Sequence, residues 1–146
     1  MPNCSITTDV IVGFPGETEK DFQRTINLVE EVGFDESFSF IYSARPNTPA
    51  KDMDDDVPIS VKKRRLGVLQ NILKRSAQSI GRRMVGNIER CLVTGISKRD
   101  PGEFQSRTEN NKVVNFSSSD PDILGKFINL EIVESLPNSL RGIITL

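Results

Sequence analysis

The chain has 146 residues, of which 36% are hydrophobic and 27% are charged, a composition that is ordinary for a globular protein and argues against disorder. It contains two cysteines and no histidine, which argues against a disulfide framework and excludes the usual Cys/His zinc sites and histidine-based catalysis. Because no apolar run is long enough to span a membrane and the amino terminus lacks signal-peptide features, we expect a cytoplasmic protein with no membrane partner.

The net charge of −1 conceals an uneven distribution of charges. Residues 1–61 carry 12 acidic and 4 basic residues, whereas residues 62–146 carry 8 acidic and 15 basic residues. This polarity indicates that the second part of the chain meets an anionic partner. A solvated basic helix would account for the charge equally well.

The first predicted unit is a strand, a helix and a second strand. Residues 7–12 form a β-branched run that ends in a Gly-Phe-Pro-Gly turn, which predicts a buried strand. Thr18 suits the N-cap of a helix that Gly33 ends, with Asp21 completing a capping box. Residues 37–42 predict the next strand. Strands joined in this way are parallel, and two such strands cannot close a domain by themselves.

The remainder of the chain changes from helical to strand periodicity. Residues 43–57 are predicted to form a loop, and residues 58–83 a long helix with apolar residues every three or four positions. Short strands separated by turns, one of them at 98–102, follow at 88–94, 104–107, 112–116, 127–134 and 140–146. Five such strands predict a small closed or half-closed β-barrel. The predicted domains are therefore residues 1–83 and 84–146.

Two loops that follow the first two strands are candidate ligand sites, because parallel α/β folds bind ligands over the carboxyl ends of their strands. In the first loop the glycines allow close approach of the backbone, and Ile11 and Phe14 suit packing on a flat ring. In the second loop Arg45 suits an anionic carboxylate or phosphate. Each loop is also compatible with a purely structural turn.

A polar hairpin in the all-β part suits RNA. Guanidinium and amide groups bind phosphates and base edges, and Phe104 or Phe116 offers a stacking face. The alternative is ordinary polar hairpin chemistry with both aromatic rings in the core. The candidate RNA contacts are Arg107, Asn110, Asn111, Lys112 and Arg141.

Four stretches of the sequence resemble the radical-SAM tRNA methylthiotransferases. Residues 9–18 (DVIVGFPGET) and 38–50 (FSFIYSARPNTPA) resemble the later strands of the radical-SAM barrel. Residues 107–116 (RTENNKVVNF) and 136–142 (LPNSLRG) resemble the TRAM domain, a small RNA-binding barrel of the same enzymes. The 107–116 stretch resembles the MiaB-type branch, which adds a methylthio group to carbon 2 of an isopentenylated adenosine beside the tRNA anticodon. Sister enzymes that modify another tRNA adenosine or a ribosomal protein are alternatives.

The resemblance implies a fold of the α/β plus all-β class, a partial radical-SAM (TIM-like) barrel segment followed by a five-stranded TRAM (OB-like) barrel. It also implies that the strand-end loops lie near S-adenosylmethionine, with Ile41 and Thr48 close by. The implied cofactor-binding residues are Ile11, Gly13, Phe14, Gly16, Glu17, Tyr42 and Arg45. The implied partners are the anticodon stem-loop of tRNA and the missing amino-terminal part of the same enzyme.

The sequence departs from the family in its cysteines. The complete enzymes hold one 4Fe-4S cluster on a CxxxCxxC motif and an auxiliary cluster on three further cysteines. Cys4 and Cys91 are too few and too widely spaced to replace either set. We therefore expect neither a cluster or other metal nor a catalytic residue in this chain, and no reaction from the chain alone. The alternatives are a stand-alone RNA-binding module without catalysis and an unrelated small α/β protein.

Overall fold

The computed structural model describes residues 4–97 and 100–145, and the chain divides into two compact units. One unit is residues 6–77, and the other runs from Gln78 onward together with the residues before Ile6. The division falls inside a helix, a few residues before the boundary that the sequence analysis places at residue 83. The domain assignment of 1–83 and 84–146 stays a prediction.

The unit of residues 6–77 is a β-α-β unit followed by the first part of a long helix. Strands β1 and β2 pair in parallel over their full length, from Thr7 opposite Glu36 to Val12 opposite Ile41, which confirms the predicted parallel arrangement. No helix in the described part of the chain is both long and apolar enough to cross a membrane. The elements are β1 (Thr7–Val12), α1 (Glu19–Val32), β2 (Glu36–Ile41), a 3-10 turn (Pro49–Asp52) and α2 (Ile59–Met84), which continues into the second unit.

Helix α1 begins and ends at the predicted residues. The Thr18 hydroxyl accepts a hydrogen bond from the Asp21 amide at 3.2 Å, and the Asp21 carboxylate accepts one from the Thr18 amide at 3.1 Å. The hydrogen bond from the Thr18 hydroxyl lowers the pKa of Asp21. Gly33 ends the helix in a left-handed conformation with φ of 66°. The capping box and the glycine stop are thus both confirmed.

The two-stranded sheet buries only one of its faces. Val12 packs with side chains of α1 and α2 in a core of Val12, Phe22, Ile26, Val29, Leu69 and Leu73. On the opposite face Ile11, Phe38 and Phe40 are 55%, 64% and 52% exposed. The prediction of a buried first strand is therefore wrong for one face, because both helices cover the sheet from the same side.

The second unit contains a closed five-stranded β-barrel, which is one of the two forms, closed or half-closed, that the sequence predicts. The strand order is β3-β4-β5-β7-β6, and every neighbouring pair is antiparallel except β5 and β7. Lys98 and Arg99 of the predicted turn, and Leu146 of the predicted last strand, lie outside the described residues. The strands are β3 (Ile88–Ile96), β4 (Phe104–Thr108), β5 (Val113–Phe116), β6 (Phe127–Ser135) and β7 (Leu140–Ile144).

The barrel core accounts for both aromatic residues that the sequence offered as stacking faces. Phe116 is 1% exposed, and the partly buried Phe104 stacks on it with ring centroids 5.9 Å apart. Alternate residues of a strand point to opposite faces, and the positions of these two rings point inward. The suggestion that they stack on RNA is therefore wrong.

The buried thiol of Cys91 makes the stability of the barrel depend on pH. Burial raises the pKa of Cys91 to about 11. Above about pH 9 the unfolded chain loses the thiol proton while the folded barrel retains it, so the free energy of unfolding should fall as the pH rises towards 11. Urea unfolding followed by circular dichroism between pH 8 and 11 measures this fall. The Cys91→Ala variant should show a shallower slope, and equal slopes would contradict the assignment.

Candidate functional sites

The carboxyl ends of β1 and β2 lie side by side, so the two predicted ligand loops meet. The Tyr42 amide donates to the Val12 carbonyl at 2.8 Å, which extends the strand pairing beyond the end of β2. The rings of Phe14 and Tyr42 meet edge to face, with centroids 5.2 Å apart. The structure therefore brings the first loop and the start of the second into one surface, which we call the strand-end site and define as residues 11–17 and 42–48.

A buried ion pair fixes the first loop of the strand-end site. Arg65 Nη1 donates to Glu17 Oε1 at 2.7 Å and to the Glu17 carbonyl at 2.9 Å. The other carboxylate oxygen of Glu17 accepts the Gly13 amide at 3.0 Å. The side chains of Arg65 and Glu17 are 5% and 11% exposed. Both carboxylate oxygens of Glu17 thus hold the turn in place, which is the role that its contacts support.

Lys62, one turn before Arg65 on α2, packs against the same loop. Its ammonium donates to both carboxylate oxygens of Asp55, at 2.5 and 2.7 Å, and lies 5.1 Å from the centroid of the Tyr42 ring. The Gly16 amide donates to the neighbouring Asp56 at 2.7 Å. Asp55 and Asp56 of the predicted 43–57 loop therefore bind Lys62 and the Gly16 amide, and these contacts hold the turn in place.

Sequence reasoning missed Lys62 and Arg65. Both lie in a run of four basic residues, for which the sequence suggests either contact with an anionic partner or a solvated face, yet they are 3% and 4% exposed. Their spacing of three places them on one face of α2, in line with Leu66 and Leu69 of the predicted apolar stripe. That alignment with the stripe was the available signal.

Of the remaining predicted residues of the strand-end site, some are exposed and others are buried. Phe14 is 41% exposed and Ile11 extends from the open face of the sheet. Tyr42 is buried and donates its hydroxyl to the Ala50 carbonyl at 2.7 Å. Arg45 is exposed, and its carbonyl accepts the Thr48 hydroxyl at 2.8 Å. Ile11 and Phe14 thus offer the apolar surface that a flat ring would need.

The outer surface of the barrel brings the two predicted RNA-binding arginines to one side. Gln105 of β4 lies opposite Asn115 of β5, and Asn115 lies opposite Arg141 of β7. Arg107 is two residues beyond Gln105 and faces the same way. We call Gln105, Arg107, Asn115 and Arg141 the polar face. Gln105 and Asn115 were missed, although alternation along the predicted strands places them on the outside with Arg107.

Side-chain hydrogen bonds define the turn of the hairpin between β4 and β5. Arg107 Nη1 donates to the carbonyl and the side-chain oxygen of Asn111, at 3.0 and 2.9 Å, and Asn111 has a positive φ of 64°. The Thr108 hydroxyl donates to the side-chain oxygen of Asn110 and accepts the Lys112 amide at 2.9 Å. The amide groups of Asn110 and Asn111 thus shape the turn that presents Arg107 and Lys112.

The positive charge of the second half of the chain lies in α2 more than in the barrel. Residues 59–84 contain eight basic and no acidic residues, whereas residues 85–146 contain seven basic and eight acidic ones. On the polar face Arg141 lies 3.3 Å from the carboxylate of Glu103. The polar face is therefore suited to selective contacts with phosphates and bases rather than to diffuse attraction.

The described residues do not fit an iron–sulfur cluster. Within residues 4–97 and 100–145, no group of three or more cysteine, histidine, aspartate or glutamate side chains is arranged to hold a metal. Cys4 is exposed, and Cys91 points into the barrel core. Because a cluster needs several convergent thiolates, these two residues cannot supply its ligands.

Comparison with known proteins adds a family context to this geometry. A model of the TRAM domain matches residues 82–145. Three proteins named tRNA-2-methylthio-N(6)-dimethylallyladenosine synthase match 97–98% of this chain but only 32% of their own length. They are those of Saccharophagus degradans (59% identical), Hahella chejuensis (57%) and Pseudomonas paraeruginosa (58%). The chain thus spans about a third of the length of these relatives.

One solved structure, a domain of a penicillin-binding protein from Nitrosomonas europaea, aligns with 61% of this chain and 88% of its own. Its sequence identity is 19% and its TM-score is 0.28, which is too low to carry an argument about fold or function.

The two glycines of the first loop should differ in their tolerance of a side chain. Both have a positive φ, 69° at Gly13 and 78° at Gly16, so alanine should cost about 1–2 kcal/mol at either position. A Cβ at Gly13 would lie 2.4 Å from Lys62 Cγ, whereas nothing lies within 4 Å of one at Gly16. Gly13→Ala should therefore cost about 1–3 kcal/mol more than Gly16→Ala, because Lys62 must move.

Tyr42 provides the readout for this comparison. It is the only tyrosine of a chain without tryptophan, so its fluorescence reports on the unit of residues 6–77. Urea unfolding followed by this signal gives the two free energies. Equal destabilisation by the two substitutions would show that the Lys62 stem does not hold the turn.

Proposed function

Because the chain belongs to the tRNA methylthiotransferase family, of which it spans the C-terminal TRAM region, we propose that it is the tRNA-binding part of such an enzyme. The proposed reaction of the whole enzyme adds a methylthio group to carbon 2 of an isopentenylated adenosine beside the anticodon. In this proposal the polar face of the barrel binds the anticodon stem-loop in the cytoplasm. The rest of the enzyme supplies the iron–sulfur clusters.

The observation that carries the RNA-binding proposal is the register of β4, β5 and β7. It aligns Gln105, Asn115 and Arg141 across three strands, with Arg107 adjacent. Guanidinium groups bind phosphates, and side-chain amides bind the exposed edges of unpaired bases. This combination favours an RNA loop over a protein or small-molecule partner.

The first unit, in this proposal, completes the catalytic radical-SAM barrel. Its open face of Ile11, Phe38 and Phe40 and the outer edges of its two strands need further strands to cover them. The relatives contain about twice as much additional chain from which such strands would come. The exposed loop and face thus support a place inside a larger barrel.

The strand-end site fits the adenosyl group of S-adenosylmethionine. Ile11 and Phe14 offer apolar surface for the adenine ring, and the Gly13–Gly16 turn allows the backbone close to it. Arg45 would reach the carboxylate of the methionyl part. When bound, this cofactor supplies the radical and methyl-transfer chemistry of the reaction. Glu17 supports the site indirectly, since it holds the turn through Arg65 and Gly13.

Removing either cation of the hairpin should weaken RNA binding. The chain is titrated with an anticodon stem-loop RNA at two salt concentrations. Arg107→Ala and Lys112→Ala should each lower the affinity and reduce the salt slope by about 1, because each removes one phosphate contact. Lys20→Ala on α1 is the control, since it removes the same charge from an exposed residue outside the barrel. Unchanged affinity in both hairpin variants would contradict the assignment.

A chimeric enzyme tests the proposed reaction. This chain replaces the C-terminal third of the Saccharophagus degradans relative, with which it shares 59% identity. We expect the chimera to modify tRNA, and the mass of the modified nucleoside, measured after digestion, identifies the target adenosine. Arg107→Ala in the chimera should raise KM for tRNA more than it lowers kcat.

The chimera also separates the proposal from its alternatives. A folded chimera that binds the stem-loop and leaves tRNA unmodified would favour an RNA-binding module that has lost catalysis. Modification of another tRNA adenosine or of a ribosomal protein would assign the chain to a sister branch.

A further inference from the structure

The outer surface of the barrel carries an exposed aromatic ring that belongs neither to the polar face nor to the hairpin between β4 and β5. Phe127, the first residue of β6, is 55% exposed. The guanidinium of Arg90, on the neighbouring β3, lies over this ring with its central carbon 4.0 Å from the ring centroid. Arg90 thus covers part of the ring and fixes its position by a cation–π contact, while more than half of the residue stays open.

Phe127 lies close to the proposed RNA-binding hairpin. Leu92 of β3 is opposite Phe127 on one side and opposite Arg107 on the other. Two strand spacings therefore separate Phe127 from Arg107, which amounts to about 10 Å. Arg90 also connects the two regions, because its Nη1 lies 3.5 Å from the carboxylate of Glu109 in the hairpin. The ring and the hairpin form one continuous surface.

An exposed ring that an arginine holds in place has the chemistry of a base-stacking site. Aromatic faces and guanidinium planes both stack on nucleobases, and they do so on unpaired bases, because paired bases already stack on their neighbours. The opposite residue to Arg90 on β6 is Asn129, whose amide can donate or accept hydrogen bonds at a base edge.

We propose that Phe127 and Arg90 form a stacking site for an unpaired base of the RNA that the barrel binds. This inference rests on the proposed RNA-binding function and adds a preference for single-stranded segments over duplex. The polar face and the hairpin hold the phosphates, and the Phe127–Arg90 pair receives a base from the adjoining nucleotides.

A tryptophan at position 127 makes stacking directly visible. The chain contains no tryptophan, so Phe127→Trp introduces a single indole. Its fluorescence should be quenched by an anticodon stem-loop RNA and not by a fully paired duplex of the same stem. Val133→Trp is the control, because Val133 is 40% exposed on the same strand and lies about 20 Å away. Equal quenching at both positions, or equal quenching by duplex, would overturn the proposal.

The second measurement compares the RNA affinity of the wild-type chain with that of variants at position 127. Phe127→Ala should weaken binding of the stem-loop roughly tenfold, within the range of measured stacking contributions, and leave duplex binding unchanged. Phe127→Tyr should retain the affinity, because it keeps the aromatic face. Ile143→Ala, at a residue that is 59% exposed on β7, is the control for loss of surface area. Circular dichroism melts establish that each variant is folded.

The outcomes distinguish this inference from the function on which it rests. If the wild-type chain binds neither RNA, the proposed RNA-binding function fails. If binding depends on Arg107 and is indifferent to Phe127→Ala, the barrel binds RNA and the stacking site is wrong. Loss of affinity in Phe127→Ala that Phe127→Tyr restores, together with selective quenching at position 127, supports the site.

Discussion

The buried ion pair between Arg65 and Glu17 is the interaction on which the strand-end site depends. It joins α2 to a loop 48 positions earlier in the chain, and the same glutamate holds the Gly13 amide. Removing two charges from water is unfavourable unless further hydrogen bonds compensate. The Glu17 carbonyl and the Glu19 carboxylate provide such bonds to Arg65. These bonds therefore hold the turn in the shape that the structure shows.

This constraint also explains which parts of the first unit could be predicted. The Thr18 cap, the Gly33 stop and the parallel strands follow from short patterns in neighbouring residues, and the structure has them where the sequence indicated. The burial of Arg65 follows from a partner 48 positions away, Glu17, whereas Lys62 pairs with Asp55, seven positions earlier in the chain. Composition shows only a basic helix, because it cannot tell which of several consecutive cations meets a distant carboxylate.

The barrel shows the same difference between local and distant information. Local patterns predict where the strands are, but not which side chains point outward. Turn residues and short apolar runs were sufficient to predict five strands in a closed or half-closed barrel, and the structure shows the closed form. The side to which each residue points depends on register, since a shift of one residue exchanges the two faces. Phe116 thus lies in the core with Phe104 packed against it, and the alignment of β4, β5 and β7 brings Gln105, Asn115 and Arg141 next to one another on the polar face.

The two units also differ in how many of their strand edges are hydrogen-bonded to a neighbouring strand. This difference fits the separate roles that we propose for the two units. Each barrel strand has neighbours on both sides, so the barrel leaves no open sheet edge and can present its polar face without help. In the described residues β1 and β2 pair only with each other, and their open face exposes Ile11 and two phenylalanines. In our proposal RNA recognition therefore lies in the barrel, whose strands are all paired. The proposed cofactor site lies where further strands are needed, so we infer that its chemistry depends on the remainder of the proposed enzyme in a way that the proposed RNA binding does not.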